Sequence, residues 1–439
     1  MALWSGMGQW NEWVDRANGI ISPQQRRASE IKKMTAILSG ITEPMPESVK
    51  WKSLVQRDSW FKENGPGLSR SAEGTLLEFI LSVGSMGIYG NSRRSPSNEE
   101  EAAAIAIVEL GDALVAMGAK PSADMIPIAL TIGLDNLDGP DRLRAALRWG
   151  GARGGSLQQA LAICCANSGW DESDGQKCLD ILIDNGALAD ARNNFESCAP
   201  EMHPVATAAM VGSLKTLRSL IDVGVPLNWV DPNTGATLWH IASGLNIHVG
   251  KILAPALQAL APKLAGNALS KPFEMRSRYD LKLSIRSGQG ALHCACDGVK
   301  PIPLLAALAC GAPVDMVDSR GDTPLTLLSR RWGAKAQARG EPMAEALLNA
   351  GADPSRVDKK GSTPAQNMAA KGPLGALEAL LAVRPQDISG EDAKAKQAFD
   401  ALAARGAEGL ARAEAIVMKE IPAQPPEPGA KGRPRARSL

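Results

Sequence analysis

The strongest constraint on the fold of this chain is a regular spacing of glycines in its second half. Gly288 and Gly321 lie 33 positions apart, and each precedes residues that favour the start of a helix. Thr323 is suited to cap such a helix, and Pro324 is suited to its first turn, where a missing N–H costs nothing. Gly311 stands where a second helix would end with a positive φ. The spacing therefore predicts a unit of one turn and two antiparallel helices.

Units of this kind recur along most of the chain. One unit cannot bury its apolar face alone, so neighbouring units must stack, and Leu304, Leu305 and Leu308 are predicted to fill the seam between them. About eight units fit into residues 72–388. The other openings and endings lie at His203, Gly235 and Gly361, and near Gly118, Gly151, Gly186, Gly224 and Gly351.

The best-formed units resemble the ankyrin repeat. The resemblance rests on HPVATAA at residues 203–209, on GATLWHIA at residues 235–242 and on GDTPL at residues 321–325, and it weakens towards the N-terminus. It implies an all-α fold, the ankyrin-repeat α-solenoid, with helix-turn-helix repeats and turn fingers. It also implies that His240 and His293 bridge to the backbone of a neighbouring repeat, and that the face made of first helices and turns binds another protein.

Four regions follow from the limits of the repeats. We predict an N-terminal helical cap region at residues 1–71, the repeats at 72–388, a C-terminal helical cap at 389–421 and a disordered, basic, Pro-rich tail at 422–439. Residues 1–71 hold five of the ten tryptophans, which leaves an aromatic docking module as the alternative to a cap for that region. Atypical ends are common in repeat proteins and favour the cap.

An insertion enlarges one of the turns. Gly235 and Gly288 lie 53 positions apart, 20 more than the 33-residue period, and the excess falls at residues 267–287. Within it, Leu283 and Ile285 alternate with polar residues, a period of two that predicts a β-strand. A solvent-exposed ornament and an enlarged finger that binds a partner both fit this segment.

Aromatic and arginine side chains in and near this enlarged finger are the predicted contacts with a partner. Such residues dominate the binding energy of protein interfaces, because aromatic rings bury large areas and guanidinium groups donate forked hydrogen bonds. The predicted binding residues are Phe273, Arg276, Arg278 and Tyr279 in the finger, and Trp229 and Trp239 near the turn between two well-formed repeats.

No constellation of residues in the sequence indicates catalysis, a cofactor or a metal. Cys294 and Cys296 stand beside His293, but cysteines two positions apart on one helix diverge by about 200° and do not converge on an ion. Phosphate-binding, hydrolase and zinc-protease motifs are absent from the sequence. We therefore predict that the protein is not an enzyme. An enzyme within the first 70 residues is a less favoured alternative, because that segment has no His or Cys.

One short motif indicates a different class of partner. Lys431, Arg433 and Arg435 surround a Gly-Arg-Pro core that resembles the AT-hook, which lies in a narrow A·T minor groove. A single motif of this length also occurs by chance in basic tails that only improve solubility. The alternative to protein binding is thus a DNA-tethered adaptor.

Charge and apolar patterning predict a cytoplasmic protein, with export by a route without a cleaved signal as the alternative. Its 48 basic and 47 acidic side chains give a net charge of +1, which draws the chain neither to nucleic acid nor to a membrane. The first residues lack the apolar core of a signal peptide, and the most apolar stretch is too short to span a bilayer. Seven irregularly spaced cysteines argue against a disulfide framework. The favoured function is non-catalytic binding of another protein, whose identity the sequence does not reveal.

Overall fold

The computed structural model shows a mainly helical protein. It describes residues 8–21, 28–52, 71–84, 98–123, 125–133, 139–153, 157–167, 172–260, 268–276, 282–331 and 337–420. Its tertiary contacts divide the chain into two compact units, one of Met1–Asn233 with Glu274–Leu283 and one of Thr234–Phe273 with Ser284–Leu439. The prediction of a mainly α-helical protein is confirmed, since the described strands form only two short two-stranded sheets. No described helix combines the length and the apolar character needed to cross a membrane.

The first unit begins with two helices and a two-stranded antiparallel sheet. Helices α1 (Gln9–Ile21) and α2 (Ala28–Leu38) are followed by strands β1 (Val49–Lys52) and β2 (Ser71–Gly74), which pair antiparallel. The sequence pattern did not predict this two-stranded sheet. Its second strand extends beyond residue 71, the predicted end of the N-terminal cap region.

Helix pairs follow this sheet in the first unit. The pairs are α3 (Leu76–Gly84) with α4 (Asn98–Ala116), α5 (Met125–Gly133) with α6 (Gly139–Arg148), α7 (Gln158–Asn167) with α8 (Glu172–Asp184), and α9 (Pro204–Val211) with α10 (Leu214–Asp222). The first helices of these pairs pack side by side in chain order. Short 3-10 turns lie at Gly151–Arg153 and Pro200–Met202.

Tryptophans of the N-terminal region contribute to the core of the first unit. The ring of Trp13 is buried and packs edge-on against Trp10 and Phe79, each at a centroid distance of 6.2 Å. The indole N–H of Trp13 donates to the carbonyl of Met34 at 3.4 Å. These aromatic side chains therefore form part of the packing between α1, α2 and α3.

The second unit repeats the pairing of helices. The pairs are α11 (Leu238–Gly244) with α12 (Ile247–Leu260), α13 (Ala291–Asp297) with α14 (Pro301–Ala309), α15 (Pro324–Leu328) with α16 (Gln337–Asn349), and α17 (Pro364–Ala369) with α18 (Leu374–Val383). The first helices of these pairs pack side by side, and so do the second helices. Helices α19 (Gln386–Ser389), α20 (Ala393–Ala403) and α21 (Ala407–Glu420) complete the unit, and Gly406 separates the last two with a φ of +101°.

Two further strands lie between the first and second of these pairs. Strands β3 (Phe273–Arg276) and β4 (Lys282–Ile285) pair with each other. The strand predicted from the alternation at Leu283 and Ile285 is therefore present as β4.

The helix ends predicted from local chemistry are confirmed. The Thr323 hydroxyl accepts the backbone N–H of Thr326 at 3.2 Å, and the Thr363 hydroxyl accepts that of Gln366 at 3.3 Å. A proline follows each of these threonines in the first turn. Gly311 ends α14 with a φ of +77°, which lets the chain turn into the next unit without a Cβ clash.

The predicted seam between repeats is correct only in part. Leu304 is fully buried, whereas Leu305 is 49% exposed and Leu308 is half-buried. Successive residues of an α-helix are rotated by about 100°, so adjacent leucines cannot both face the same neighbouring helix. Leu304 shares its buried face with Ala307. The assignment of Leu305 to the seam is wrong.

Candidate protein-binding surface

The turn between α14 and α15, called finger 1 (residues 311–323), is built around a buried carboxylate. Asp318 Oδ1 accepts the backbone N–H groups of Arg320 and Asp322 at 2.8 and 3.1 Å. The backbone N–H of Asp318 donates to the Asp322 carbonyl at 3.0 Å. The chain then passes through Gly321, whose φ of +77° is favourable for glycine. These bonds fix the backbone of finger 1 in the absence of any partner.

The turn between α16 and α17, called finger 2 (residues 351–363), has the same construction. Asp358 Oδ1 accepts the backbone N–H groups of Lys360 and Ser362 at 2.8 and 3.1 Å. Gly361 follows with a φ of +71°. Equivalent side chains therefore hold equivalent turns in two successive repeats.

Two arginines neutralise the buried carboxylates of the fingers. Arg286 donates to Asp318 at 2.9 Å, and Arg330 contacts both Asp322 and Asp358, the latter at 3.4 Å. Burial raises the pKa of Asp318 and Asp358, but hydrogen bonds from backbone N–H groups and, at Asp318, from Arg286 outweigh it. The pKa of each carboxyl therefore lies below the usual range of aspartate. Both side chains remain ionised acceptors at neutral pH.

Hydrogen bonds between side chains and the backbone join finger 1 to finger 2, and finger 2 to α20. The backbone N–H of Asp353 in finger 2 donates to both carboxylate oxygens of Asp315 in finger 1, at 3.0 and 3.2 Å. On the other side of finger 2, the ammonium group of Lys394 donates to the carbonyl of Lys360 at 2.5 Å. The relative position of the two fingers is thus set within the second unit.

The tips of the two fingers expose one valine each and several basic side chains. Val317 is 50% exposed and Val357 is 49% exposed. Arg320, Lys359 and Lys360 are exposed beside them. These residues were missed at the level of sequence, although the repeated patterns VDSRG and VDKKG that precede the helix starts are a signal that identifies them.

Two histidines form hydrogen bonds between successive repeats, next to the turns. His240 Nδ1 and His293 Nδ1 each accept a backbone N–H at the start of their own helix, at 3.0 and 3.2 Å. Their Nε2–H groups therefore donate, to the carbonyls of Gln289 at 3.2 Å and Asp322 at 3.0 Å. Burial lowers the pKa of His293, which keeps its ring neutral. This is the structural role that the family resemblance implies for both residues.

Three of the predicted binding residues are buried. Trp229 is 1% exposed, and its indole N–H donates to the carbonyl of Cys198 at 2.8 Å. Trp239 is 4% exposed and Phe273 is 3% exposed. Large aromatic rings gain most from being removed from water, and these rings occupy the core beside the turns. The expectation that these three residues anchor a partner is corrected accordingly.

The base of the enlarged finger is part of the core of the second unit. Leu269, Phe273 and Ile285 are 2%, 3% and 3% exposed. The backbone N–H of Leu269 donates to the carbonyl of Gln289 at 3.1 Å, and its carbonyl accepts the N–H of Gly288 at 2.9 Å. The insertion is therefore not a mere surface ornament at its base.

The remaining predicted binding residues lie at the end of β3 or outside the described ranges. Arg276 is the last residue of β3, and its role in protein binding stays a prediction. The other predicted residues lie outside the described ranges, and their roles stay predictions: Arg278 and Tyr279 for protein binding, and Lys431, Arg433 and Arg435 for DNA.

Some side chains of chemically reactive types in the described part of the second unit have structural roles. Cys294 and Cys296 are buried in α13, and burial raises the pKa of Cys294 to about 12. Burial also lowers the pKa of Lys300 to about 8, but its ammonium donates to the carbonyls of Ser243 and Gly244 at 2.8 and 2.6 Å. Lys300 thereby caps the C-terminal end of α11. No cluster of three or more His, Cys, Asp or Glu among the described residues is placed to hold a metal.

Comparisons with known proteins give distant and partial similarities. No family model matches the chain. An L-asparaginase of Dirofilaria immitis is 28% identical over 171 residues, which cover 36% of this chain. The chain spans only 28% of the length of that protein. Among solved structures, an ankyrin repeat domain of Acinetobacter baumannii AYE is 21% identical, with a TM-score of 0.35, over 51% of this chain and 96% of that one.

Proposed function

We propose that this chain is a non-catalytic scaffold, an ankyrin-type array of repeats that binds another protein through its fingers and the adjoining ends of its first helices. The construction of fingers 1 and 2 carries this proposal. Their backbones are fixed by the buried side chains of Asp318 and Asp358, while their tips are exposed. A surface that is ordered before binding loses little conformational entropy when a partner docks.

The packing of like helices supports the same proposal. In the second unit the first helices lie side by side, and the second helices do the same. Turns that connect one pair to the next therefore emerge along one edge of the stack. Each repeat adds one finger to that edge, and a binding surface is extended without a change of fold.

The enlarged finger stays in the proposal in a narrower form. Leu269, Phe273 and Ile285 are buried at the base of the insertion, which removes them from the surface that meets a partner. The binding residues that remain in the prediction are Arg276, Arg278 and Tyr279.

Site-specific photo-crosslinking tests this function. A photoreactive amino acid is placed in the full chain at Val317, at Val357 or at Leu305, which have nearly equal exposures of 50%, 49% and 49%. Leu305 lies on second helix α14 and serves as the matched control. After irradiation in a lysate of the source organism, we expect covalent adducts with a protein at the two finger positions and none at Leu305. Absence of adducts, or the same adducts at all three positions, contradicts the proposal.

A further inference from the structure

The exposed charges at the tips of fingers 1 and 2 are basic. Arg320, Lys359 and Lys360 are exposed, and none of them forms an ion pair with another residue in the part of the chain that the structure describes. The ammonium group of Lys394, which contacts the carbonyl of Lys360, adds a fourth positive charge beside finger 2. The tips thus present a concentrated positive potential on a chain whose net charge is only +1.

The carboxylates of the two fingers do not cancel this potential at the surface. Asp353 pairs with Arg356 at 3.4 Å, and Asp315 accepts the backbone N–H of Asp353. The other acidic residues of the fingers are buried beside Arg286 and Arg330: Asp318, Asp322 and Asp358. The acidic groups therefore hold the turns together, while the basic groups face solvent.

Each tip also exposes an apolar side chain in the same position. Val317 and Val357 stand directly before the buried aspartate of their finger, and about half of each is exposed to water. A partner that covers these valines gains by removing apolar surface from water. A nucleic-acid backbone or a lipid headgroup supplies negative charge without a matching apolar side chain, whereas a polypeptide segment supplies both. The combination favours a peptide as the occupant.

The repeat of the fingers sets the geometry of that occupant. Packed helices lie roughly 8–10 Å apart, and an extended polypeptide advances about 3.3 Å per residue, so successive fingers match about every third residue of an extended segment. We infer that fingers 1 and 2 bind an extended, acidic segment of the partner protein, in which carboxylates and apolar side chains recur at about this interval. This inference rests on the proposed binding function and adds the chemistry of the segment that is bound.

Selection from a displayed library of random twelve-residue peptides on the immobilised full chain tests the inference. We expect the enriched peptides to be rich in Asp and Glu with interspersed apolar residues. The double variant Lys359→Glu/Lys360→Glu is compared with Lys215→Glu/Lys251→Glu, which changes the net charge equally at exposed positions of second helices α10 and α12. The affinity of the enriched peptides should fall about tenfold or more in the finger variant and stay unchanged in the control.

Three results would overturn the inference. One is enrichment of neutral or basic peptides, or of none. Another is an equal loss of affinity in the finger variant and the control variant. The third is binding of duplex DNA or of phosphatidylserine vesicles that depends on Lys359 and Lys360 while no acidic peptide binds. If adducts still form at the two finger valines, the binding function stands and only the chemistry of the partner segment is refuted.

Discussion

Leu304 and Leu305 are neighbours in α14 but have different surroundings. Leu304 is fully buried between helices of the second unit, and Leu305 is 49% exposed. Truncation of a buried leucine removes its transfer free energy and leaves a cavity, so Leu304→Ala should lower the free energy of unfolding by about 2–5 kcal/mol. Leu305→Ala should lower it by less than about 1 kcal/mol. Urea denaturation followed by circular dichroism measures both. Equal losses would show that the assigned face of α14 is wrong.

His203 is a second residue whose environment allows a quantitative prediction. Its Nδ1 accepts the backbone N–H of Ala206 at 3.3 Å, and its Nε2–H donates to the carbonyl of Pro226 at 3.1 Å. The ring is fully buried between Phe195 and Trp229, at centroid distances of 6.1 and 5.7 Å. Burial lowers the pKa of His203 to about 4. The folded protein therefore holds this ring in its neutral form.

The sign of the pH dependence follows from this lowered pKa. The unfolded chain takes up a proton on His203 near pH 6.5, whereas the folded protein does so only near pH 4. The contribution to stability is complete above about pH 6.5 and is lost as the pH falls towards 4, with a total of about 3 kcal/mol. Unfolding free energies at pH 7, 6 and 5 measure this loss. His203→Gln, which has no titrating group, should show a smaller decrease. An unchanged decrease would assign the acid sensitivity to other groups.

At the scale of the elements, local chemistry accounts for what the sequence predicted correctly. Thr323 and Thr363 cap their helices, and Gly311 turns the chain, because each needs only its own few neighbours. The buried indole of Trp229 instead donates to a carbonyl 31 residues away, at Cys198. Such distant contacts leave no periodic signal, so Trp229 was predicted to be a surface anchor.

One part of the candidate surface, the finger tips, is predictable from the sequence. The patterns VDSRG and VDKKG repeat in register with the glycines, and the aspartate and the glycine of each pattern have the same role in both fingers. What the patterns could not supply is the inward direction of the aspartates. That direction is also fixed by Arg286, which follows β4, and by Arg330, which follows α15.

The buried base of the enlarged finger should contribute to the stability of the second unit. Phe273 begins β3 with its side chain buried, and nearby Lys271 is exposed. Phe273→Ala should lower the free energy of unfolding by about 3–5 kcal/mol, because it leaves a cavity in the core of the second unit. Lys271→Ala should change it by less than about 0.5 kcal/mol. Thermal and urea unfolding compare the two. Equal stabilities would show that the Phe273 ring does not stabilise the core of the second unit.

For the whole molecule, the distribution of tryptophans makes the two compact units distinguishable by spectroscopy. Eight of the ten tryptophans lie within residues 1–233, and the other two are Trp239 and Trp332. Tryptophan fluorescence therefore reports mainly on the first unit. Far-UV circular dichroism reports on both, since helices are present in each.

We expect urea unfolding curves from these two signals not to coincide. Each unit has its own buried core, and in stacked repeats each repeat contacts only its neighbours, so cooperativity over a long array is incomplete. The fluorescence curve should show one main transition, and the circular dichroism curve should include a second transition with a different midpoint. Trp239→Phe removes a tryptophan of the second unit and should leave the fluorescence midpoint of the first unit in place. Superimposable curves in both proteins would mean that the chain unfolds as one cooperative body in spite of its two cores.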